Sequence, residues 1–473
     1  MVSKIDDVVV IGGGPGGYAA AFLAADAGFS TTLIDLDTTP GGVCLHRGCI
    51  PSKALLHVAK LIRETNEASQ MGLSFSEPDL DLDRLRAWKN EVVKRLTGGL
   101  GQQCKTRGVN FIQGRARFLG SNRLSIESTD GSLSEMPFAK AVLATGSRPF
   151  MLPHLESDSP WVMDSTAALD LEDIPESMLV IGGGIIGLEL GSAYAALGSR
   201  ITIVEATSGL IPGADRDLVR IVEKTIKGQV EKILLNTSVT ALNSNEKGVE
   251  AVWKDGDGQE TSQFFSRILM AVGRRPNTED IGLENTQVVV EEGVVRVDLQ
   301  MRTDDPNIFA IGDIVKGPML AHKAAHEARV AVDALAGKKS CFEPKAIPGV
   351  CYTDPELAWV GLTETAAKAK NITVKIARFP WAACGRAHTV ERFEGVTKLI
   401  VDPQTNRILG MGIVGAGAGE LLAEGGLAIE MGATVQDLAD TIHAHPTLSE
   451  TVMEAAEVSL GHCTHFYVPK RGK

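Results

Sequence analysis

Two glycine-rich turns, each set between an apolar strand and an alanine-rich helix, constrain this chain more than any other feature of its sequence. The first lies in DDVVVIGGGPGGYAAAFLAADAGFSTTLID, where Gly12, Gly14 and Gly17 hold the spacing G-x-G-x-x-G. In that spacing the first glycine permits a tight turn and the second lets the backbone approach a pyrophosphate. The third lets helix pack on strand, and the helix N-terminus faces the anion. Asp35 follows Gly14 by 21 residues, where a carboxylate accepts from a ribose 2′-hydroxyl. The pattern recurs in SMLVIGGGIIGLELGSAYAALGSRITIVEA, with Gly182, Gly184, Gly187 and a second strand closing on Glu205. Each stretch is a complete βαβ unit, so the chain is expected to be α/β with two Rossmann-like dinucleotide-binding domains. Two such sites on one chain imply that two cofactors meet. A carboxylate at Glu205 accepts from a free 2′-hydroxyl and repels a 2′-phosphate, so the second site should take NAD rather than NADP.

The charge balance narrows the partners. A net charge of −12 argues against nucleic acid or an anionic membrane, which both need basic patches. The N-terminal MVSKIDD runs straight into the strand-like VVVIG, with no h-region or cleavage site before it. No run reaches the ~18 apolar residues of a membrane span. A cytoplasmic location is the expectation. Seven cysteines at irregular spacings do not make a secreted disulfide framework.

Two of those cysteines stand out. In GGVCLHRGCIPSK, Cys44 and Cys49 are five positions apart. A regular helix would separate them by about 7.5 Å of rise, beyond the Cα spacing of roughly 4.4–6.8 Å that a disulfide tolerates. Bonding therefore needs a distorted turn, for which Gly48 offers tolerance of left-handed backbone and Pro51 a fixed φ. Pro51 also marks the first turn of a helix whose positive end would lie near Cys49. Near the far end of the chain, in HAHPTLSE, His445 precedes Glu450 by five residues. An imidazole titrates near neutrality, and a carboxylate on one nitrogen fixes its tautomer. His443 is the rival candidate, and nothing beside the two histidines completes a metal-ligand set.

Taken together, these segments resemble the pyridine nucleotide-disulfide oxidoreductase family over essentially the full length. GGVCLHRGCIPSK is similar to its redox stretch, KAVLATGSRP (with Gly146) and ILMAVGRRPNT (with Gly273) to segments flanking the second nucleotide domain, NIFAIGDI to its second flavin motif and IHAHPTLSE to its C-terminal catalytic signature. The resemblance implies FAD in the first site, NAD in the second and a homodimer. It makes Cys44 the sulfur that exchanges with substrate and Cys49 the one that meets the flavin. It also brings Lys53 and Glu189 together beside the flavin, gives Asp313 the ribityl chain, and packs Leu320, Ala321 and His322 near the ring. It selects His445 with Glu450 as the base, acting in the partner subunit's active site. The implied activity is oxidation of protein-bound dihydrolipoamide with reduction of NAD, in partnership with the lipoyl-bearing acyltransferase core of 2-oxo acid dehydrogenase complexes.

The same resemblance gives a domain plan: 1–149 binding FAD, 150–275 binding NAD, 276–345 completing the FAD site, and 346–473 as an α+β dimerisation domain. Alternating stretches such as TKLIVDPQTNRILGMGIVG read as antiparallel strands with turns at Asp402-Pro403 and Asn406. GELLAEGGLAIEMG and TLSETVMEAAEVSL read as helices. QMGLSFSEPDLDLDRL and ESTDGSLSE read as surface loops, and Cys104, Cys341, Cys351 and Cys384 as small packed groups.

Departures from the family pattern are expected to matter. Leu45-His46-Arg47 replaces the usual Asn-Val between the cysteines, AACGRA stands near residue 384, and the tail GHCTHFYVPK, with His462, Cys463 and His465, matches no motif. That tail reads as frayed rather than as a metal or redox site. Reduction of glutathione or of mercuric ion is the rival activity. Glu205 and IPSK stand against the first, and the lack of an adjacent C-terminal cysteine pair and of an N-terminal metal-binding module against the second. A scaffold that merely keeps its flavin would not need both cysteines, the base and both glycine turns.

Overall fold

Strands Asp6–Ile11 and Thr31–Asp35 pair in parallel through helix Pro15–Asp26, as the first glycine motif dictates. The computed structural model describes residues 6–155 and 158–467. Val8, Val9 and Val10 are all at most 1% exposed, the near-continuous apolar run of a strand covered on both faces. Pro15 occupies the first helical turn, where its missing N–H costs nothing. A Cβ on Gly16 would lie 3.1 Å from the Ala324 Cβ, so the helix packs closely on helix Ala321–Leu335. Strands Asn110–Gln113, Leu133–Leu143 and Ile308–Ala310 extend the sheet in parallel. Arg115–Gly120 and Arg123–Glu127 add to it antiparallel.

The second motif repeats this design. Strands Ser177–Ile181 and Arg200–Val204 flank helix Ile185–Ala196 in a five-stranded parallel sheet. A three-stranded antiparallel sheet, Ser238–Asn245, Gly248–Lys254 and Glu260–Phe265, lies beside it. The chain enters and leaves this unit through Ser147–Pro149 and Arg274–Pro276, which pair antiparallel with Arg275 opposite Arg148. The last unit is a five-stranded antiparallel sheet, in which Val396–Val401 and Ile408–Gly415 meet across a turn with Asn406 left-handed (φ 57°). Helices Ala418–Met431 and Glu450–Leu460 complete it. The architecture is thus α/β with two dinucleotide-binding units and a C-terminal α+β unit.

Five expectations change. Gly48 is not left-handed (φ −148°, ψ −111°). It is glycine for space, since a Cβ there would sit 2.8 Å from the Val43 carbonyl oxygen. Cys341 is exposed rather than packed. ESTDGSLSE is a hairpin, its ends belonging to strands Arg123–Glu127 and Leu133–Leu143, and the segment from Leu82 is helical to Arg107. The tail is fastened as far as His465: Cys463 Sγ donates to Glu454 Oε2 at 2.8 Å, and the His465 ring bonds the other oxygen.

Candidate active site

Two helices break where the cysteines require it. Gly42–Arg47 ends and Cys49–Glu67 begins on either side of Gly48, so Cys44 and Cys49 are carried on separate helices that turn against each other. Gly42 is left-handed (φ +56°), and a Cβ on it would lie 2.5 Å from the Gly14 Cα. This contact seats the cysteine-bearing helix directly on the first glycine turn. Both cysteines are thiols here, Cys44 half-buried and Cys49 exposed to the cavity that both line.

That cavity, about 1780 Å³ in volume, runs from one glycine turn to the other. Gly12, Gly14, Asp35, Gly146, Asp313, Leu320, Ala321 and His322 face it, as do Gly182, Gly184, Glu205 and Gly273. The two cradles match in detail. Gly12 (φ +102°) and Gly182 (φ +111°) would place a Cβ 2.2 Å from the Ala144 carbonyl oxygen and 2.4 Å from that of Ala271. The Gly13 and Asp37 N–H groups donate to the Asp35 carboxylate. The Gly183 and Thr207 N–H groups donate to Glu205 at 2.7 and 2.8 Å. Gly17 and Gly187 do not face the cavity. A Cβ on either would enter the carbonyl oxygen of Gly12 or Gly182 (1.7 and 2.1 Å), so they set the helix against the turn. Two backbone cradles that admit no Cβ, each closed by a carboxylate, fit two dinucleotides.

Charge gathers around Cys49. Lys53 Nζ lies 2.7 Å from Glu189 Oε2 and 4.7 Å from the centroid of the Tyr352 ring, while the Tyr352 N–H donates to Glu189 Oε1 at 2.9 Å. Cys49 accepts a hydrogen bond from the Cys44 thiol and sits in the field of the Lys53 ammonium; despite desolvation by the cavity walls, its thiol is lowered to about 7. Donating that bond, and burial, push Cys44 far up. Within the pair, Cys49 is therefore the sulfur that ionises first and Cys44 the one that keeps its proton.

Several residues of this site were not singled out from sequence. Ser147 Oγ donates to Asp313 Oδ2 at 2.5 Å and accepts from Arg274 Nε at 2.7 Å, and Arg274 lines the cavity and feels the charge of Asp313 and Cys49. Lys323 and Glu327, each 1% exposed and 2.9 Å apart, clasp the Gly312 backbone from both sides. Their i, i+4 spacing in AHKAAHEA was the available signal. His322 lines the cavity, its Nε2 2.9 Å from the Pro348 carbonyl oxygen, and burial holds its imidazole below the ordinary value.

His445 and Glu450 stand outside the cavity of their own chain. His445 Nδ1 lies 2.9 Å from Glu450 Oε1, the Thr447 N–H donates to Glu450 Oε2 at 2.8 Å, and the imidazole is 73% exposed. Against a desolvation penalty, these two bonds hold the Glu450 carboxyl below its ordinary range. His443 is instead engaged with Glu424, at 2.9 Å.

Residues 6–328 match the family model described as pyridine nucleotide-disulphide oxidoreductase, and residues 347–456 match that family's dimerisation domain. The chain belongs to this oxidoreductase family. It is 48% identical over 458 residues to the dihydrolipoyl dehydrogenase of Vibrio cholerae, covering 97% of this chain and 96% of that one. It is 42% identical over 460 residues to that of Geobacillus stearothermophilus, covering 97% of each. Within the family it groups with the dihydrolipoyl dehydrogenases. Among solved structures it is similar to LpdA from Mycobacterium tuberculosis (TM-score 0.88, 28% identity, 95% of this chain and 99% of that one). It is also similar to a flavoprotein disulfide reductase, RclA, from Escherichia coli (TM-score 0.86, 28% identity, 96% and 99%). Like the dihydrolipoyl dehydrogenases, this oxidoreductase uses FAD and NAD and is a homodimer.

Proposed function

We propose that the protein oxidises dihydrolipoamide to lipoamide and reduces NAD, the dihydrolipoyl dehydrogenase reaction. The observation that carries this reading is the thiol pair at the junction of two dinucleotide cradles, with the Lys53–Glu189 ion pair facing the same cavity. Gly12, Gly14, Asp35 and Asp313 would hold FAD, and Gly182, Gly184 and Glu205 would hold NAD. The bound cofactors supply the two-electron relay from the reduced thiol pair to NAD.

The chain's own groups handle sulfur and protons. In the oxidised enzyme, a substrate thiolate attacks Cys44 Sγ, forming a mixed disulfide and releasing Cys49 as a thiolate. His445 of the partner subunit takes the proton from the substrate thiol, with Glu450 of the partner subunit fixing the imidazole tautomer. The second substrate sulfur then attacks the substrate sulfur of the mixed disulfide, freeing the cyclic disulfide, and its proton passes to Cys44 Sγ as that sulfur leaves reduced. Lys53, held by Glu189, stabilises negative charge at Cys49.

The match boundaries and the paired connections Ser147–Pro149 and Arg274–Pro276 support a division into 1–149 (FAD), 150–275 (NAD), 276–345 (completing the FAD site) and 346–473 (interface). The natural substrate is the lipoyl group on the acyltransferase core of a 2-oxo acid dehydrogenase complex. A cytoplasmic setting accords with the net charge of −12 and with described helices too short or too polar to cross a membrane. Turnover with dihydrolipoamide and NAD, compared with glutathione disulfide and NADPH, tests the assignment. Preference for the second pair would replace it.

A further inference from the structure

The tail that matched no motif closes over a buried carboxylate whose ionic partner among the described residues is a histidine. Helix Glu450–Leu460 ends at Gly461 (φ +86°), and the chain folds back with the His462 N–H donating to the Glu457 carbonyl oxygen at 3.1 Å. This turn lays Cys463 and His465 against Glu454, which is 4% exposed. Glu454 and Glu457, three apart, share a helix face. The ligand atoms of Glu454, Glu457 and Cys463 lie within 4.8 Å of one another. His465 stands on the second Glu454 oxygen. Among the described residues no lysine or arginine pairs with Glu454 or Glu457; the ion pair of Glu454 is with His465. The contrast with the other acidic group is direct. Asp215, Asp217 and Glu364 surround Lys398 Nζ at 2.8 to 2.9 Å, so an ammonium already fills that centre.

We propose that Glu454, Glu457, Cys463 and His465 form a binding site for a zinc-class divalent cation. Thiolate, imidazole and two carboxylates are a tetrahedral zinc donor set, and the thiolate disfavours magnesium and calcium, which prefer oxygen ligands throughout. Ligands about 2.0–2.3 Å from one ion stand roughly 3–4 Å apart. Glu454, Glu457 and Cys463, already within 4.8 Å of one another, close to that spacing by small side-chain rotations, and His465 joins them by swinging off the Glu454 oxygen it now bonds. On binding, the Cys463 S–H bond breaks, a sulfur-metal bond forms and the proton leaves to solvent. No electron is transferred.

The test uses the FAD-loaded dimer carrying Cys44→Ser and Cys49→Ser, so that the active-site thiols cannot compete for metal. Titration with Co2+ alone is expected to give one ion per chain and a near-ultraviolet thiolate-to-cobalt absorption, displaced by Zn2+. Adding Cys463→Ser should remove that absorption and weaken Zn2+ binding by about tenfold or more, no less than the loss of an outer-shell partner costs. Glu457→Gln, a partly exposed position, should weaken Zn2+ binding while the absorption remains. No absorption in the parent, or one that survives Cys463→Ser, overturns the site. Should Cys463→Ser fail to fold by circular dichroism, unchanged Zn2+ affinity in Glu457→Gln overturns it equally.

Discussion

Lys53 and Glu189, 136 residues apart, meet at 2.7 Å and tie the helix that starts at Cys49 to the helix of the second nucleotide unit. The Glu189 side chain is 4% exposed, so the ammonium is its essential counter-charge. Through this pair the position of the thiolate and the seating of the second cradle are fixed together. Lys53→Met should therefore lower turnover and also disturb Cys49.

The ionisation of Cys49 gives the sign of that disturbance. Its thiol lies at about 7, below the ordinary value, so it is a thiolate above that pH and protonated below it. After two-electron reduction, the long-wavelength absorption from the Cys49 thiolate against oxidised flavin should be full at pH 8 and fade as pH falls through about 7. Without the Lys53 ammonium, the midpoint should move upward by about 1 pH unit. A band insensitive to pH across that range contradicts the assignment.

Substitution separates the two sulfurs. Cys44→Ser and Cys49→Ser should each abolish turnover with dihydrolipoamide while FAD stays bound, because the cradle proposed for FAD is built by other residues, Gly12, Gly14 and Asp35. The long-wavelength band should be lost with Cys49→Ser. Its persistence there would assign the thiolate elsewhere.

Under the proposed assignment, coenzyme choice rests on Glu205, whose oxygens already accept from the Gly183 and Thr207 N–H groups. NAD should exceed NADP in kcat/KM by at least about tenfold, or about 1.4 kcal/mol, and Glu205→Ala should narrow the gap. Equal use of both coenzymes by the unmodified protein would remove Glu205 from this role.

Gly42→Ala tests the seating of the cysteine helix on the flavin cradle. The residue is left-handed, and the new Cβ would fall 2.5 Å from Gly14 Cα. Backbone strain alone is about 1–2 kcal/mol, so FAD retention, measured by flavin release on dilution, should weaken by about tenfold. Unchanged retention would show that the two elements move independently.

What the sequence made legible was local. Both glycine turns announce themselves because strand, turn, helix and acid follow one another along the chain, and His445 and Glu450 are five residues apart. Lys53 with Glu189 came only from the family resemblance, and the Ser147 link between Arg274 and Asp313 was not foreseen. These contacts span 127 to 166 residues, and no periodicity encodes which distant side chains a fold will bring together. Gly48 was flagged for the wrong reason, since composition cannot distinguish a glycine needed for φ from one needed for space. The tail misled for a related reason: its partner, Glu454, sits on a helix face that looks ordinary in sequence.

The most direct test of the shared site concerns His445, which is exposed and lies outside the cavity holding Cys44 and Cys49 of its own chain. A positioned base contributes about 10²–10⁴-fold, so His445→Gln should slow dihydrolipoamide oxidation by about that factor with the dimer and FAD intact. The decisive measurement is activity after Cys44→Ser and His445→Gln homodimers have exchanged subunits, with mixed dimers confirmed by mass. Each mixed dimer then has one site with both defects and one with none. Activity should rise to about a quarter of wild type, since half of randomly reassorted two-fold dimers are mixed and each keeps one intact site. Mixed dimers that form and stay as inactive as their parents would contradict the account and return the base to its own chain.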